Sequence, residues 1–489
     1  MAAYSSHHRH DLERVARRAL RDRGLLDTFD NDALDQLAGI RGPGEAKGSE
    51  IRDLRSLPWC SIDNDESKDL DQLSVAVDLG DGSVRILIAI ADVDTLVGKG
   101  TPIDAHASKN TASIYVAGHI FPMLPEKLST DLTSLGPAVD RLSLIIEFLV
   151  RKDGSLGESG VSRALVRNDS KLTYNAVAAW LEGQCPLPEA AASVTGMDAQ
   201  LSLQDAVAER LRQLRHEKGA LDFASLESRP VFSDDMIVGM HAERRNRAKG
   251  LIEEFMIAGN GVVARFLEAK GRPSLRRVVR SPERWAKIVD VAAQYGESLP
   301  KEPSARALEA FLSKRRAADP LRFPDLSLVI VKLMGAGEYI AELPREPNPG
   351  HFGLSVKDYT HATAPNRRFS DLVTQRLLKA ALADRPSPYD ISDLNTIARH
   401  CTLQEGNIAK VERQVHKSAA VLLLERCEGE TFDGVVTGAA DKGTWVRIFD
   451  PPVEGRIVRG MAGLRVGDKI RATLLSTNFE RGFLDFARS

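Results

Sequence analysis

The spacing of hydrophobic residues changes character several times along the chain. Residues 11–40 carry two short helical patterns separated by a turn. Alternating positions typical of strands follow, with a predicted hairpin turn at Leu79–Ser83 and a buried strand at Leu142–Val150. Helical periodicity dominates from Gln204 onward, and short strands with glycine-rich turns return after Gly429. The pattern therefore predicts a multidomain α+β protein.

Three domains follow from these changes. We expect a small helical N-terminal domain over residues 1–48, a large α+β domain over 49–427 and a five-stranded OB barrel over 428–489. The breaker cluster Gly42–Gly48 is the predicted linker. The two N-terminal helices suit either a helix-turn-helix that touches nucleic acid or a simple packing element, and the pattern alone leaves both open.

Composition narrows the class of protein. The chain has 489 residues with a formal net charge of −2, so any nucleic-acid binding must depend on a local basic surface. Its four cysteines lie far apart and form no C-x-x-C pair, which argues against a disulfide framework or a zinc finger. The longest apolar run is too short to span a membrane. We expect a reduced cytoplasmic protein.

Acidic residues crowd into the segment SIDNDESKDLDQLS, Ser61–Ser74, just before the predicted hairpin. Such crowding repels itself unless water or cations neutralise it, and hard oxygen ligands suit magnesium, with manganese as the second choice. A solvated acidic turn is the plainer alternative. It is weakened because the segment leads directly into predicted buried strands, which hold several carboxylates near a core.

This segment resembles the opening motif of the RNase II (RNB-type) catalytic domain, in which four aspartates surround the metal in a T-I-D-x(5)-D-x-D-D pattern. Asp63, Asp69 and Asp71 match the first three positions, and Gln72 stands where the fourth aspartate is found. The resemblance implies that all four are catalytic metal ligands. A glutamine supplies a carbonyl oxygen without charge, so one metal position should be weaker.

A second segment, His351–Asp371, resembles the family signature H-F-G-L…Y-x-x-x-T-S-P-I-R-[RK]-[YF]-x-D, with Ala364 and Asn366 as departures. Arg367 is the catalytic and RNA-binding residue that this match implies. It precedes a predicted helix whose N-terminus favours an anion, so its guanidinium is placed to clamp a phosphate. The alternative is a surface arginine paired with Asp371.

Further matches in the same order extend the resemblance over most of the chain. They imply RNA contacts by Tyr115 near the scissile phosphate, by Glu254 at the terminal nucleotide and by Glu412 near the 3′ end. For Glu412, an exposed helix glutamate is an equally good interpretation. The C-terminal segment resembles an RNA-binding OB domain, which implies a stacking and basic face that includes Trp445 and Arg447. Relatives begin with cold-shock OB domains, which the first fifty or so residues are too few to form.

The resemblance implies a hydrolytic, magnesium-dependent, processive 3′-to-5′ exoribonuclease that releases nucleoside 5′-monophosphates from single-stranded RNA. We expect a monomer, with the N-terminal helices as a candidate contact for structured RNA. The main alternative is an RNA-binding relative of weak or no activity, in which Gln72 has abolished productive metal binding. A DNA-binding regulator that uses the N-terminal helices ranks last.

Overall fold

A computed structural model describes residues 7–45, 51–224, 228–242, 245–320, 322–440 and 443–489. The predicted linker Gly42–Gly48 therefore lies partly outside the described residues. The helices are α1 His8–Arg21, α2 Asn31–Gly39, α3 Pro102–Asn110, α4 Tyr174–Leu181, α5 Glu189–Ala192, α6 Met197–Glu217, α7 Arg247–Ala269, α8 Trp285–Gln294, α9 Ala305–Ala318, α10 Phe323–Met334, α11 Phe369–Leu382 and α12 Ile391–Leu424. No described helix combines the length and the apolar character needed to cross a membrane.

The strands are β1 Ile51–Asp53, β2 Trp59–Asp63, β3 Gln72–Asp78, β4 Val84–Ala91, β5 Ile114–Val116, β6 His119–Phe121, β7 Asp140–Val150, β8 Leu156–Thr173, β9 Ser228–Ser233, β10 Met236–Ala242, β11 Ser274–Val278, β12 Glu338–Glu342, β13 Thr431–Ala440, β14 Gly443–Ile448, β15 Glu454–Arg459, β16 Lys469–Asn478 and β17 Phe483–Arg488. The predicted α+β class is confirmed. The buried strand predicted at Leu142–Val150 lies within β7 and ends at the same residue.

The central sheet carries the site. Its strand order is β1-β8-β2-β3-β4-β7. Because β7 also pairs with β8, the strands β8, β2, β3, β4 and β7 form a closed ring. Strand β2 lies parallel to the last part of β8, whereas β3 and β4 form the predicted antiparallel hairpin. Helices α6 and α7 cover this sheet, and their buried residues share one hydrophobic cluster with those of β2, β3, β4, β7 and β8.

The two N-terminal helices pack in different places. Helix α1 buries Leu12, Val15 and Leu20 in a cluster with residues of α12. Helix α2 lies against α3, where the Gln36 side chain accepts a hydrogen bond from the Ile103 amide at 2.8 Å. Helix α1 thus adds its apolar face, and α2 its buried Ala33, to cores shared with the large domain, which favours the packing interpretation of this pair over a freestanding helix-turn-helix. The domain boundaries themselves stay predictions.

The C-terminal strands form the predicted five-stranded closed barrel, in the order β13-β14-β15-β17-β16. The 34-residue helix α12 connects it to the rest of the chain, and its last turns bury Ala420, Val421 and Leu424 in the barrel's hydrophobic cluster. This shared core fixes the barrel to the helix that also packs against α1. The barrel therefore has a defined position beside the large domain.

Candidate active site

The acidic loop joins β2 to β3, and the segment Thr133–Leu135 is hydrogen-bonded to it. The Leu70 amide donates to Ser134 Oγ at 3.0 Å, and Ser134 Oγ donates to the Lys68 carbonyl at 2.7 Å. The Leu135 amide donates to the Leu70 carbonyl at 2.9 Å. These bonds satisfy the loop's buried backbone groups, as burial requires. The solvated-turn alternative is wrong for Leu70 and Asp71, which are buried, whereas residues 64–66 of the loop are exposed.

Asp71 is the most enclosed carboxylate of the loop, with 2% of the residue exposed. Its Oδ1 accepts the Asn366 amide at 3.0 Å, and its Oδ2 accepts Arg367 Nε at 3.3 Å. Burial raises the pKa of Asp71 to about 7. The positive charge of Arg367 opposes this rise, and the negative charge of Asp69 adds to it. Burial therefore outweighs the nearby positive charge and disfavours the carboxylate form of Asp71.

Asp63 and Asp69 stand beside it, each partly exposed. Burial raises the pKa of Asp63, although the Asn64 amide donates to its Oδ1 at 2.7 Å, and the charge of Asp69 contributes to the rise. Asp69 Oδ2 accepts the Tyr115 hydroxyl at 3.2 Å. The structure thus places Asp69 close enough to both Asp63 and Asp71 for its charge to raise the pKa of each.

Arg367 and Arg368 have different partners. Arg368 pairs with Asp371 through two bonds, Nε to Oδ2 at 2.9 Å and Nη2 to Oδ1 at 2.7 Å, and Asp371 is fully buried. The alternative in which Arg367 pairs with Asp371 is therefore wrong, because Arg368 takes that role. The side chain of Arg367 remains 42% exposed beside Asp71, just ahead of α11. Its guanidinium is available to an anion that enters the site.

Tyr115 and Glu412 meet at the edge of the same site. Tyr115 lies on β5 with 41% of the residue exposed, and its amide donates to Glu412 Oε1 at 3.2 Å. The interpretation of Glu412 as a plain exposed helix glutamate is wrong, because this half-buried residue on α12 receives a bond from the strand beside the acidic loop. An aromatic ring that is exposed, but fixed at both its hydroxyl and its backbone, suits stacking on a base.

Two predicted RNA contacts are occupied by protein partners instead. Glu254 is 2% exposed, and its two oxygens accept Nε and Nη2 of Arg215 from α6. Arg447 binds Asp325 of α10 through Nη1 at 2.7 Å and Nη2 at 3.3 Å. The structure thus does not present either side chain to a nucleotide: Glu254 lies in a buried ion pair, and Arg447 lies in a part-buried one.

The other two predicted site residues, Trp445 and Gln72, are half-buried. Trp445 is half-buried on the barrel's outer face, where a Cβ added to Gly438 would lie 3.0 Å from the indole ring. It stands opposite the exposed Arg456 in the β14–β15 register, so an aromatic ring and a cation share one surface. Gln72 begins β3 directly after Asp71 and is half-buried.

Residues that sequence reasoning missed complete the site. Asn366, a departure from the signature, supplies the amide to Asp71 and accepts a side-chain bond from Thr133. Burial raises the pKa of the Tyr174 hydroxyl, and the negative charge of the nearby Asp63 raises it further. The neighbouring Asn175 donates to Asp65 Oδ2 at 2.8 Å. The position of Asn366 inside the signature was the available signal, whereas Tyr174 and Asn175 come from a helix distant in sequence.

The donor set fits a hard divalent cation. Burial raises the pKa of Asp71, and a cation bound at this carboxylate would favour its charged form. Among the residues that the structure describes, no three histidine, cysteine, aspartate or glutamate side chains form a complete metal cage. Mg²⁺ commonly binds through one or two carboxylates and takes its other ligands from water and phosphate.

Fold and site together define a class: an α+β catalytic domain with an acidic cleft and an arginine, joined to an OB-type barrel. A family model described as the RNB domain matches residues 51–384, and one described as the RNase II-type exonuclease C-terminal S1 domain matches residues 430–489. The chain belongs to the RNB-domain family of RNase II type, as the sequence resemblance predicts.

Curated relatives include Ribonuclease R of Escherichia coli (strain K12), 29% identical over 491 residues that cover 92% of this chain and 59% of that protein. Ribonuclease R 1 of Lactococcus lactis is 28% identical over 451 residues, covering 88% of this chain and 53% of that protein. The chain thus spans between half and two thirds of their length. The structure of Mycoplasma genitalium RNase R in complex with ribose methylated single-stranded RNA has a TM-score of 0.87 at 21% identity, covering 98% of this chain and 78% of that one. This likeness shows the shared fold.

Proposed function

We propose that the chain is a hydrolytic 3′-to-5′ exoribonuclease that acts processively on single-stranded RNA and releases nucleoside 5′-monophosphates. The observation that carries the proposal is the contact between buried Asp71 and half-exposed Arg367, with Asp63 and Asp69 beside them. Family membership and the naming of the curated relatives as Ribonuclease R support it. The alternative of a non-catalytic relative is less favoured, because the three aspartates and the arginine are all assembled.

Asp63, Asp69, Asp71 and the carbonyl of Gln72 would hold magnesium, with manganese as the second choice. When bound, the metal supplies an activated water and neutralises charge on the phosphate. The chain's own part is to hold the carboxylates in position. The Asn366 amide and Arg367 do this for Asp71, and the Tyr115 hydroxyl does it for Asp69.

Arg367 is placed to bind the reacting phosphate. Its Nε is occupied by Asp71, which leaves the exposed part of the guanidinium for a phosphate oxygen. Positive charge at that position offsets the negative charge that develops on the phosphate during displacement. Because the arginine is already held by the carboxylate, it needs little reorganisation when the substrate binds.

Tyr115 is placed to orient the nucleotide. Its exposed ring offers a stacking surface for a base next to the acidic loop, and Glu412 fixes the backbone that carries it. Trp445 and its neighbour Arg456 offer a second stacking and basic surface on the barrel, suited to the unpaired RNA behind the reacting end. An RNA strand that touches both surfaces must be single-stranded, because paired bases do not expose a free face.

A labelled-RNA assay tests the proposal. A 5′-labelled oligoribonucleotide is incubated with magnesium and the wild-type chain, Asp71→Asn, or Asp78→Asn as the matched control at the exposed far end of β3. Wild type and Asp78→Asn should shorten the RNA to a small end product, whereas Asp71→Asn should leave it at full length. Intact RNA after prolonged incubation with excess wild-type protein would overturn the proposal and favour the non-catalytic alternative.

A further inference from the structure

A basic groove lies where three elements meet: the end of α1, the middle of α12 and the turn between β16 and β17. Its volume is about 540 Å³. The cations that line it are Arg18, Arg23, Lys410, Arg413, Lys417 and Arg481. Only two carboxylates, Asp22 and Glu480, line it with them. The chain as a whole carries a net charge of −2, so this is a local concentration of positive charge.

The walls of the groove are fixed to one another. Ser418 Oγ on α12 donates to the Phe479 carbonyl in the β16–β17 turn at 2.7 Å. Gly482 has a φ of +65°, and a Cβ there would lie 2.6 Å from Lys417 Cβ, so the turn rests directly on the helix. Helix α1 is held to the same turn by Arg14, whose Nη1 lies 2.8 Å from Glu480 Oε1, and by the Arg18 pair with Glu480.

Most of the groove's positive charge is not neutralised by the protein. Arg14 and Arg18 occupy the Glu480 carboxylate. Lys410, Arg413, Lys417 and Arg481 have no carboxylate within 4.0 Å among the residues that the structure describes. Four unpaired cations on rigid walls repel one another, and an anion with several charges would relieve that repulsion.

The groove is separate from the catalytic cleft. Lys410, Arg413 and Lys417 are spaced by three and four residues and so share one face of α12. Glu412 lies on a different face of the helix, where it meets the Tyr115 amide beside the acidic loop. Helix α12 therefore has the active site on one side and the basic groove on another.

An exposed aromatic residue in the groove, Phe483, indicates which kind of anion would bind there. Phe483 lines the groove with 51% of its surface exposed. A phenyl ring beside unpaired cations matches a single-stranded polynucleotide, whose bases stack on the ring while its phosphates meet the cations. A duplex would leave the ring unused, because its bases are already stacked.

We propose that this groove is an exosite that binds the sugar-phosphate backbone of single-stranded RNA outside the catalytic cleft, without sequence preference. The proposal deepens the exoribonuclease function and rests on it only in taking RNA as the ligand. The contact would hold a part of the substrate that is not in the active site. It gives a role in binding unpaired RNA to helix α1, which carries Arg18, and to the turn after it, which carries Arg23.

The test compares two triple variants of equal charge change in an equilibrium binding assay without turnover. The groove variant is Lys410→Gln, Arg413→Gln and Lys417→Gln. The control is Lys287→Gln, Lys301→Gln and Arg399→Gln, which removes three exposed cations outside the groove. Fluorescence anisotropy in EDTA gives the Kd of a labelled single-stranded RNA of about 30 nucleotides at several salt concentrations.

The groove variant should raise Kd roughly tenfold and make the slope of log K against log salt shallower by about 2, because each phosphate contact on a single strand contributes about 0.7. The control should stay within about twofold of wild type. Phe483→Leu should weaken binding roughly fivefold with an unchanged slope, because it removes stacking and no charge. Thermal melting of each variant confirms that it is folded.

Equal effects of the two triple variants, or an unchanged Kd for the groove variant, would overturn the exosite. The same holds if the groove variant loses binding to phosphatidylglycerol vesicles while it keeps its affinity for RNA, since the groove would then serve a membrane surface. No catalysis occurs in this assay. An inactive chain that binds RNA through the groove would therefore contradict the nuclease proposal and leave the exosite intact.

Discussion

Arg367 Nε lies 3.3 Å from Asp71 Oδ2, and the two side chains differ sharply in exposure: 42% for the arginine and 3% for the aspartate. The pair connects the acidic loop with the segment that precedes α11, two parts of the chain almost 300 residues apart. Asp71 is held in the core, and Arg367 faces the cleft. The predictions for Arg367 and for Asp71 depend on this contrast between an exposed guanidinium and a buried carboxylate.

Arg367 and its neighbour Arg368 should respond differently to substitution. Arg367→Ala should lower kcat by about 10²–10³, because the exposed guanidinium acts on the phosphate. Its loss of stability should be small, because Asp71 can take up a proton when its partner is removed. Arg368→Ala should instead lower the free energy of unfolding by about 3–5 kcal/mol, since it leaves Asp371 buried without its partner. Steady-state kinetics and denaturant titration separate the two effects. A large loss of stability in Arg367→Ala would contradict the assignment.

Stability without metal should depend on the protonation of Asp71. Its pKa is about 7 in the folded chain and near its ordinary 3.8 when unfolded, so the folded state binds the proton more tightly. The stabilisation from that proton is complete below about pH 4 and is lost as the pH rises through 7, at most about 4 kcal/mol. In EDTA, Asp71→Asn should therefore raise the melting temperature at pH 8 and have little effect at pH 4. An equal shift at both pH values would contradict this.

Gln72 should limit the affinity for metal. Gln72→Asp adds a charged oxygen ligand, so the magnesium concentration for half-maximal activity should fall several-fold. In EDTA the same variant should melt at a lower temperature than wild type, because a further carboxylate joins Asp63, Asp69 and Asp71. Gln72→Leu, which is similar in size but offers no oxygen, should raise the magnesium requirement. An unchanged requirement in both variants would show that position 72 does not face the metal.

Tyr115 should contribute mainly through its ring. Tyr115→Ala should weaken binding of a short RNA roughly tenfold, in line with the loss of one base stack. Tyr115→Phe keeps the ring and loses only the bond to Asp69, so its Kd should change by less than about threefold. Ile120→Ala is the matched control, because Ile120 is exposed and pairs with Tyr115 across the β5–β6 hairpin. Equal losses in Tyr115→Ala and Ile120→Ala would contradict a stacking role.

The sequence predicts much of the fold, because several elements have a strong hydrophobic period. The turn predicted at Leu79–Ser83 connects β3 to β4, and all five barrel strands lie within the predicted range 428–489. The 18-residue strand β8 gives no clear signal of its own, because polar residues such as Glu158 and Ser159 interrupt its apolar positions. Its pairing with β1, β2 and β7 is a long-range property that no local pattern contains.

The errors in the site have the same origin. Glu254 falls outside the apolar stripe of its helix, yet α7 is buried on nearly all sides and Arg215 of α6 supplies the opposite charge. Arg447 lies on a barrel strand with the alternation of a surface residue, and Asp325, more than a hundred residues earlier, binds it. Local periodicity predicts which face a residue occupies. It does not predict which distant partner covers that face.

The most direct test of the central claim is the identity and order of the released product. An RNA labelled at its 3′-terminal nucleotide, mixed with magnesium and the wild-type chain in single turnover, should release that nucleotide first as a nucleoside 5′-monophosphate. Arg367→Ala should release the same product at least about 10²-fold more slowly. Label that first appears in an oligonucleotide, or that leaves only after the 5′ end has been shortened, would contradict the account.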